Sequence, residues 1–335
     1  MCYYQFRLND TDQNNGHSLI TYTEKRKYMF ISLAPMEGIT TYVYRNAINR
    51  HFGELDCFYT PFLTASHIKG REFRDVDPKN NTVPKLIPQV LVNDAELFVT
   101  IAKQLEALGY DEVNLNLGCP SGTVTSKGRG AGFLDKTSEL DKFLEEIFNN
   151  SPLDISIKTR IGAEFISEWE DIARIYEKYP VKELIIHPRA GKELYKGHAH
   201  VDIYKEMVAY LSPKMKDTIF TYNGDIVDCE TLDKGFNRVM IGRGMIANPS
   251  LAYILRNNRN IDDFKKRFLL FHEELLINYI EEMNYENQVV KKMKELWVYL
   301  SKGLGVPQKA IKELLKATTL PKYKNQFQVI SSYIS

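Results

Sequence analysis

The sequence predicts a parallel (β/α)8 barrel, a TIM barrel, with a helical bundle appended after it. Three observations carry this. Short apolar runs alternate with longer amphipathic stretches from about residue 31 to 250, the rhythm of strand–helix repeats around a parallel sheet. After Pro249 the strand pattern stops and only helical spacing continues. The predicted strand ends carry an amide, a thiol, a lysine, a histidine and Gly-containing turns, and a barrel of this kind places its chemistry at those ends.

The eight strands are expected at 31–34, 56–59, 86–90, 112–115, 155–158, 183–186, 218–221 and 238–241. The stretches between them, such as 95–108, 140–148 and 168–177, place apolar residues at helical spacing. A doubly wound open sheet is the competing architecture. Against it, no GxGxxG follows an early strand, and the Gly128–Gly132 run is too compact for that fingerprint. The C-terminal part predicts helices over 261–283, 285–300, 308–316 and 321–334, with Gly303-Leu304-Gly305-Val306-Pro307 separating the middle two. The chain thus divides into an N-terminal extension over 1–30 of no assigned role, a barrel over 31–250, and a helical domain over 255–335.

Composition narrows the class. With 44% hydrophobic and 26% charged residues in 335, the chain is of ordinary globular make-up and long enough for a large barrel plus a smaller domain. No apolar run reaches 18 residues, and residues 1–28 hold no apolar core of a signal peptide. Cys2, Cys57, Cys119 and Cys229 form no CxxC pair, which speaks against a zinc site or a disulfide framework and for a reducing, cytoplasmic setting. The net charge of +1 is unevenly spread. From Leu255 onward there are fourteen basic and nine acidic residues, a net +5, leaving −4 for the rest. A basic tail on a mildly acidic body is a modest footprint for RNA; a solvated helical surface accounts for the same charge.

The most informative stretch is Asn116-Leu117-Gly118-Cys119-Pro120, which ends the fourth predicted strand. Pro120 stops the strand because it lacks an N–H, leaving Cys119 at the tip. A Gly-rich basic loop, 126–132, follows. The other strand ends bring Pro35-Met36 (first strand), Gln89 (third), Lys158 and Arg160 (fifth), His187 and Arg189 (sixth), Asn223-Gly224-Asp225 (seventh) and Gly242-Arg243-Gly244 (eighth). The last two turns let backbone N–H groups approach a phosphate, with Arg243 adding charge. A lysine nearer the centre, Lys158, suits a cofactor that becomes anionic on reduction, such as a flavin. Gln89 and Asn116 are placed to meet a ring edge. No His/Cys/Asp cluster has metal-ligand spacing, so no metal is inferred.

Taken together these pieces resemble the tRNA-dihydrouridine synthases. They are Ala34-Pro35-Met36-Glu37-Gly38-Ile39-Thr40 with Arg45, Asn116–Pro120, Lys158-Thr159-Arg160, His187-Pro188-Arg189 with Tyr195-Lys196-Gly197, Asn223-Gly224-Asp225-Ile226, and Gly242-Arg243-Gly244 with Asn248-Pro249. Lys292-Met293-Lys294 and the Trp297–Tyr299 region look like the family's tail helix, so the resemblance runs over roughly 32–320. The sequence departs from the family at Thr41, where Asp is usual, and at Ala190, where Thr is usual; both bear on substrate position more than on chemistry. The resemblance implies an FMN-dependent enzyme that reduces the C5–C6 bond of uridine in RNA, tRNA before ribosomal RNA, with NADPH as reductant. It implies hydride transfer from FMN N5 to C6 and a proton from Cys119 to C5. Most of a free thiol is protonated at neutral pH, which suits that acid. It assigns FMN to Pro35, Met36, Gln89, Lys158, His187, Asn223, Gly224, Asp225, Gly242 and Arg243, and the RNA to Asn116, Arg160, Lys291, Lys292 and Lys294. No membrane and no obligate protein partner are implied. Three alternatives stand beside it: the same chemistry on ribosomal RNA, a flavin oxidoreductase acting on a small molecule, and an RNA-binding homologue without activity.

Overall fold

The computed structural model describes residues 29–233 and 235–334. The extension expected over 1–30 lies outside them except for Met29 and Phe30. Eight parallel strands close into one barrel in chain order. They are β1 (Phe30–Leu33), β2 (Cys57–Leu63), β3 (Leu86–Val90), β4 (Glu112–Leu117), β5 (Asp154–Gly162), β6 (Glu183–Ala190), β7 (Ile219–Tyr222) and β8 (Arg238–Ile241). The predicted TIM barrel is present, and each predicted strand overlaps an observed one. β5 and β6 run four residues further than expected. Their extra residues hold each other extended, with Arg160 opposite His187 and Gly162 opposite Ala190. The register shifts between those two pairs, which accommodates Pro188 and its missing N–H.

Strand periodicity decides what faces inward. Val113, Leu115 and Leu117 of β4 join the large core between barrel and helices, so the alternate residues Glu112, Asn114 and Asn116 face the barrel interior. By the same alternation Ser156, Lys158 and Arg160 of β5 point inward, as do Ile185, His187 and Arg189 of β6. A small apolar layer of Ala34, Cys57, Tyr59, Ile87, Ile185 and Met240 fills the middle of the barrel. Below it Glu183 accepts hydrogen bonds from Tyr59, Thr221 and Arg238. The apolar floor and this polar plug close the barrel interior beneath its C-terminal end.

The barrel helices are α1 (Tyr42–His51), α2 (Gly70–Val76), α3 (Ala95–Ala107), α4 (Gly122–Thr125), α5 (Thr137–Asn150), α6 (Trp169–Tyr176), α7 (Val201–Leu211), α8 (Arg243–Ala247) and α9 (Leu251–Asn257). At Thr41, before α1, no side-chain cap forms; the Asp75 carboxylate accepts the Tyr42 N–H instead, at 2.7 Å. The tail consists of α10 (Phe264–Glu282), α11 (Glu286–Gly303), α12 (Gln308–Leu315) and α13 (Leu320–Ser331). Its core is aromatic. Trp297 donates to the Tyr323 hydroxyl at 2.9 Å, and the buried His272 ring meets the same hydroxyl at 2.7 Å. Burial pushes the His272 pKa down to about 3, so the ring is neutral and packs as an aromatic. α10 docks on α1, with Arg50 and His51 both paired to Glu274. No described helix is long and apolar enough to cross a membrane.

Candidate active site

Four strand-end side chains form a ladder across the barrel mouth. Ser156 Oγ accepts from Asn114 at 3.0 Å, Asn114 Oδ1 accepts from Gln89 at 2.7 Å, and Gln89 Oε1 accepts from Asn116 at 2.7 Å. The remaining oxygen, Asn116 Oδ1, accepts the backbone N–H groups of Gly118 and Cys119, each at 3.0 Å. The interior of three strands therefore fixes the turn that carries Cys119. The far side of that turn is held by the Gly-rich loop. The Cys119 carbonyl accepts the Ala131 N–H at 3.0 Å, and a Cβ at Gly130 would stand 2.6 Å from that same oxygen. The loop is thus already seated against the cysteine turn, and Gly130 is required there both by contact and by its φ of +56°.

Beside this turn the sequence buries several cations. Arg160 donates to three backbone carbonyls, Gly118 (2.9 Å), Ala190 (2.9 Å) and Leu194 (2.8 Å), tying the cysteine turn to the loop after β6. Arg189 donates to the carbonyls of Lys196 and Gly197 and to both oxygens of Asp225. Asp225 also accepts from Arg243 at 2.6 Å; although burial alone raises its pKa, its two arginine partners bring the net shift below the usual carboxylate range. His187 Nδ1 lies 2.5 Å from the Asn223 carbonyl, and its Nε2 lies 3.4 Å from an Arg189 nitrogen. A carbonyl only accepts, so Nδ1 carries the proton and Nε2 the lone pair. Burial, then the neighbouring Arg160, Lys158 and Arg189, hold the His187 pKa well below its ordinary value. Lys158 has no hydrogen-bond or ion-pair partner among the described residues. Burial and Arg160 lower its pKa to about 7, against a smaller pull from Cys119.

These groups surround a cavity of about 650 Å³, within the size range of cofactor pockets. Its lining includes Pro35, Met36, Gly118, Lys158, Arg160, His187, Tyr195, Asn223, Gly224, Asp225, Gly242 and Arg243 from the barrel, and Tyr299, Lys302 and Gly303 from α11. Three barrel cations, Lys158, Arg160 and Arg243, face two carboxylates, Asp225 and Asp228, and Lys302 lines the side formed by α11. The excess positive charge and the unpartnered Lys158 fit a ligand bearing phosphate and able to take up further negative charge, as FMN does. The glycines fit it too. A Cβ at Gly242 would stand 3.3 Å from Ala34 Cβ, and one at Gly244 would stand 2.2 Å from the Ile226 carbonyl oxygen, so the turns after β7 and β8 present bare backbone in tight contact with their neighbours.

The structure brings most of the sequence-read residues together and sets others apart. Gln89 is fully buried and, like its partner Asn116, does not line the cavity. Cys119 sits on the rim, next to Gly118 of the lining. Asn223 Nδ2 is spent on the Met240 carbonyl at 2.7 Å. Arg160, expected to contact RNA, lines the cavity and has each of its three nitrogens engaged by a carbonyl, so it also braces the loops. The three tail lysines do not share a face. Lys291 is exposed, Lys292 lies against Gly38 of the loop after β1, and Lys294 caps the Ala317 carbonyl at 2.9 Å. Sequence reasoning assigned no role to Tyr195, whose half-exposed ring lies 4.3 Å from the Arg243 guanidinium and 5.3 Å from that of Arg160. Tyr299 entered there only as part of the Trp297–Tyr299 region and Lys302 only through the tail's charge, neither with a role at the site. Their signal was present as helical spacing with Lys292 and Glu295.

A closed parallel barrel with a cation-rich cavity at its strand ends and a thiol on the rim defines a barrel enzyme for an anionic ligand. Residues 32–332 match the family model described as dihydrouridine synthase, and the chain belongs to that family of oxidoreductases. The chain is 29% identical over 234 residues to a probable tRNA-dihydrouridine synthase of Staphylococcus aureus (strain COL), covering 66% of this chain and 69% of the relative. It is 30% identical over 229 residues to the protein so named in S. aureus strain Mu50, with the same coverage. It is 28% identical over 229 residues to probable tRNA-dihydrouridine synthase 2 of Bacillus subtilis (strain 168), covering 66% and 70%.

Proposed function

We propose that this protein reduces uridine in tRNA to 5,6-dihydrouridine, with FMN as its cofactor and NADPH as the reductant. The observation that carries this reading is the pairing of an unpartnered, half-buried Lys158 lining the cavity with a cysteine turn clamped at the same barrel mouth. FMN, when bound, supplies the hydride for C6 of the base. The residues we assign to it are Pro35, Met36, Lys158, His187, Asn223, Gly224, Asp225, Gly242 and Arg243, with Gln89 behind them. Lys158 offsets negative charge at the barrel centre. His187, neutral and with Nε2 unprotonated, accepts rather than donates there. Cys119 holds the proton for C5 at Sγ, and Asn116 fixes the turn that aims it. A uridine inside an RNA helix cannot reach the cavity floor, so the base is taken in flipped out of its stack. The helical domain over 255–335 docks the RNA; of the lysines assigned to it, Lys291 is the one free to meet phosphate, while Lys292 and Lys294 are engaged within the protein.

The test is assay of the purified protein for bound FMN, and of its action on unmodified tRNA and ribosomal RNA with NADPH. Dihydrouridine in the tRNA, lost about 10²–10⁴-fold in Cys119→Ala with FMN retained, is the expected result. A protein that cannot be loaded with FMN, or one that leaves uridine intact in both RNAs, overturns the proposal.

A further inference from the structure

α11 turns one polar stripe toward the barrel. Lys292, Glu295, Tyr299 and Lys302 are spaced three, four and three residues apart, which puts them on a single helix face. One end of the stripe is closed. Lys292 packs against Gly38 and pairs with Glu295 at 3.4 Å. The other end is open. Tyr299 and Lys302 line the cavity, and Lys302 is exposed with no hydrogen bond or ion pair among the described residues. Tyr299 is half-buried and lies within electrostatic reach of Tyr195 and Arg243 across the same cavity. The helix cannot slide there, because a Cβ at Gly303 would stand 2.2 Å from the Ala247 carbonyl oxygen of α8. An aromatic ring on a tightly seated helix and a free ammonium one turn away are the pair that single-stranded nucleic acid requires, a stacking surface and a phosphate partner.

We propose that Tyr299 and Lys302 hold the RNA nucleotide adjoining the target uridine, Tyr299 by stacking on its base and Lys302 by pairing with its phosphate. This rests on the RNA reading above and names the residues that position the strand. Stacking accepts any base, so these two residues position the chain without selecting its sequence. Lys302, not the lysines near residue 292, then supplies the tail's contact nearest the reacting base.

The test measures affinity for an unmodified tRNA transcript by fluorescence titration at several salt concentrations, on FMN-loaded protein. Tyr299→Ala is expected to weaken binding about tenfold, as loss of one stacking platform does, while Tyr299→Trp retains it. Lys302→Ala is expected to weaken binding and to flatten the log–log salt dependence by about 0.7 to 0.9, one phosphate contact. FMN content stays at the wild-type level in all three. Unchanged affinity and slope in both alanine variants overturn the inference, as does loss of FMN from Lys302→Ala, which would give that lysine to the cofactor's phosphate. Dihydrouridine formation by the wild type is scored separately, so failure of the reading and failure of this inference are told apart.

Discussion

The side-chain oxygen of Asn116 accepts the backbone N–H of Cys119 at 3.0 Å, and that of Gly118 at the same distance. One buried amide thus sets the backbone of the turn bearing the thiol, while its own orientation is set by Gln89, Asn114 and Ser156. The barrel interior holds one side of the turn that carries the thiol, and the Gly-rich loop holds the other.

Asn116→Ala removes the acceptor for two N–H groups and the donor to Gln89. Each buried group left without a partner costs about 1–3 kcal/mol. We expect a lower melting temperature, FMN still bound, and uridine reduction lowered by at least about tenfold because the acid is no longer held in place. Single-turnover assays beside FMN titration check this. Reduction at the wild-type rate would show that the turn keeps its shape without the amide.

Arg160 is expected to act on stability before substrate. Its guanidinium spans three carbonyls on two loops, a geometry one ammonium cannot reproduce. Arg160→Lys should destabilise by about 1–3 kcal/mol for a carbonyl left unpaired. It should also open the loop after β6 to proteolysis near Leu194, which already holds a positive φ of 53°. Thermal unfolding and limited proteolysis are the measurements. A variant of wild-type stability that fails only in RNA binding would return Arg160 to the substrate.

The fold and the membership of the site were legible because the strand period is two. Once β4 to β8 are placed, parity alone puts Asn116, Lys158, His187, Asn223 and Gly242 on the interior face at the open end. Parity does not tell whether a polar atom is already engaged. Arg160, Asn223 and Asp225 look like ligand contacts in the sequence, but their donors and acceptors are largely committed to carbonyls or arginines from distant strands. The tail lysines differ from one another for a related reason. Three basic residues within four positions cannot all lie on one helix face, and which one is free depends on what packs against the helix. Tyr299 and Lys302 became visible only when α11 was seen seated on α8.

That seat gives a third prediction. Gly303 has an ordinary φ, so its requirement is one of space, and the obstruction at 2.2 Å is backbone rather than a flexible side-chain end. Gly303→Ala should force α11 away from α8 at about 1–3 kcal/mol, the usual cost of overpacking. Because α8 begins with Arg243 and α11 carries Tyr299 and Lys302, FMN and RNA affinity should fall together. Melting curves with both titrations test the coupling; an alanine variant of unchanged stability would show that the helices have room to part.

Lys158 links ligand binding to protons. Its pKa in the folded protein, about 7, is far below the ordinary value of 10.5, so the folded apo-protein binds fewer protons than the unfolded chain between those values. Stability then rises with pH across that window, and below pH 7 the buried charge opposes folding. Removing the ammonium should relieve this, so Lys158→Met should stabilise the apo-protein, most at pH 6 and least above pH 10. Ligand binding reverses the balance. An anion beside Lys158 favours its charged form and raises its pKa. At pH 8, where the free lysine is mostly neutral, binding of reduced FMN, whose ring is anionic, should therefore take up part of a proton, and affinity for reduced FMN should fall as pH rises above 7. Calorimetric titration at pH 8 in two buffers of different ionisation enthalpy measures the uptake directly. Uptake in the wild type and none in Lys158→Met is the expected outcome. Equal proton exchange in both proteins would show that Lys158 does not face the bound anion.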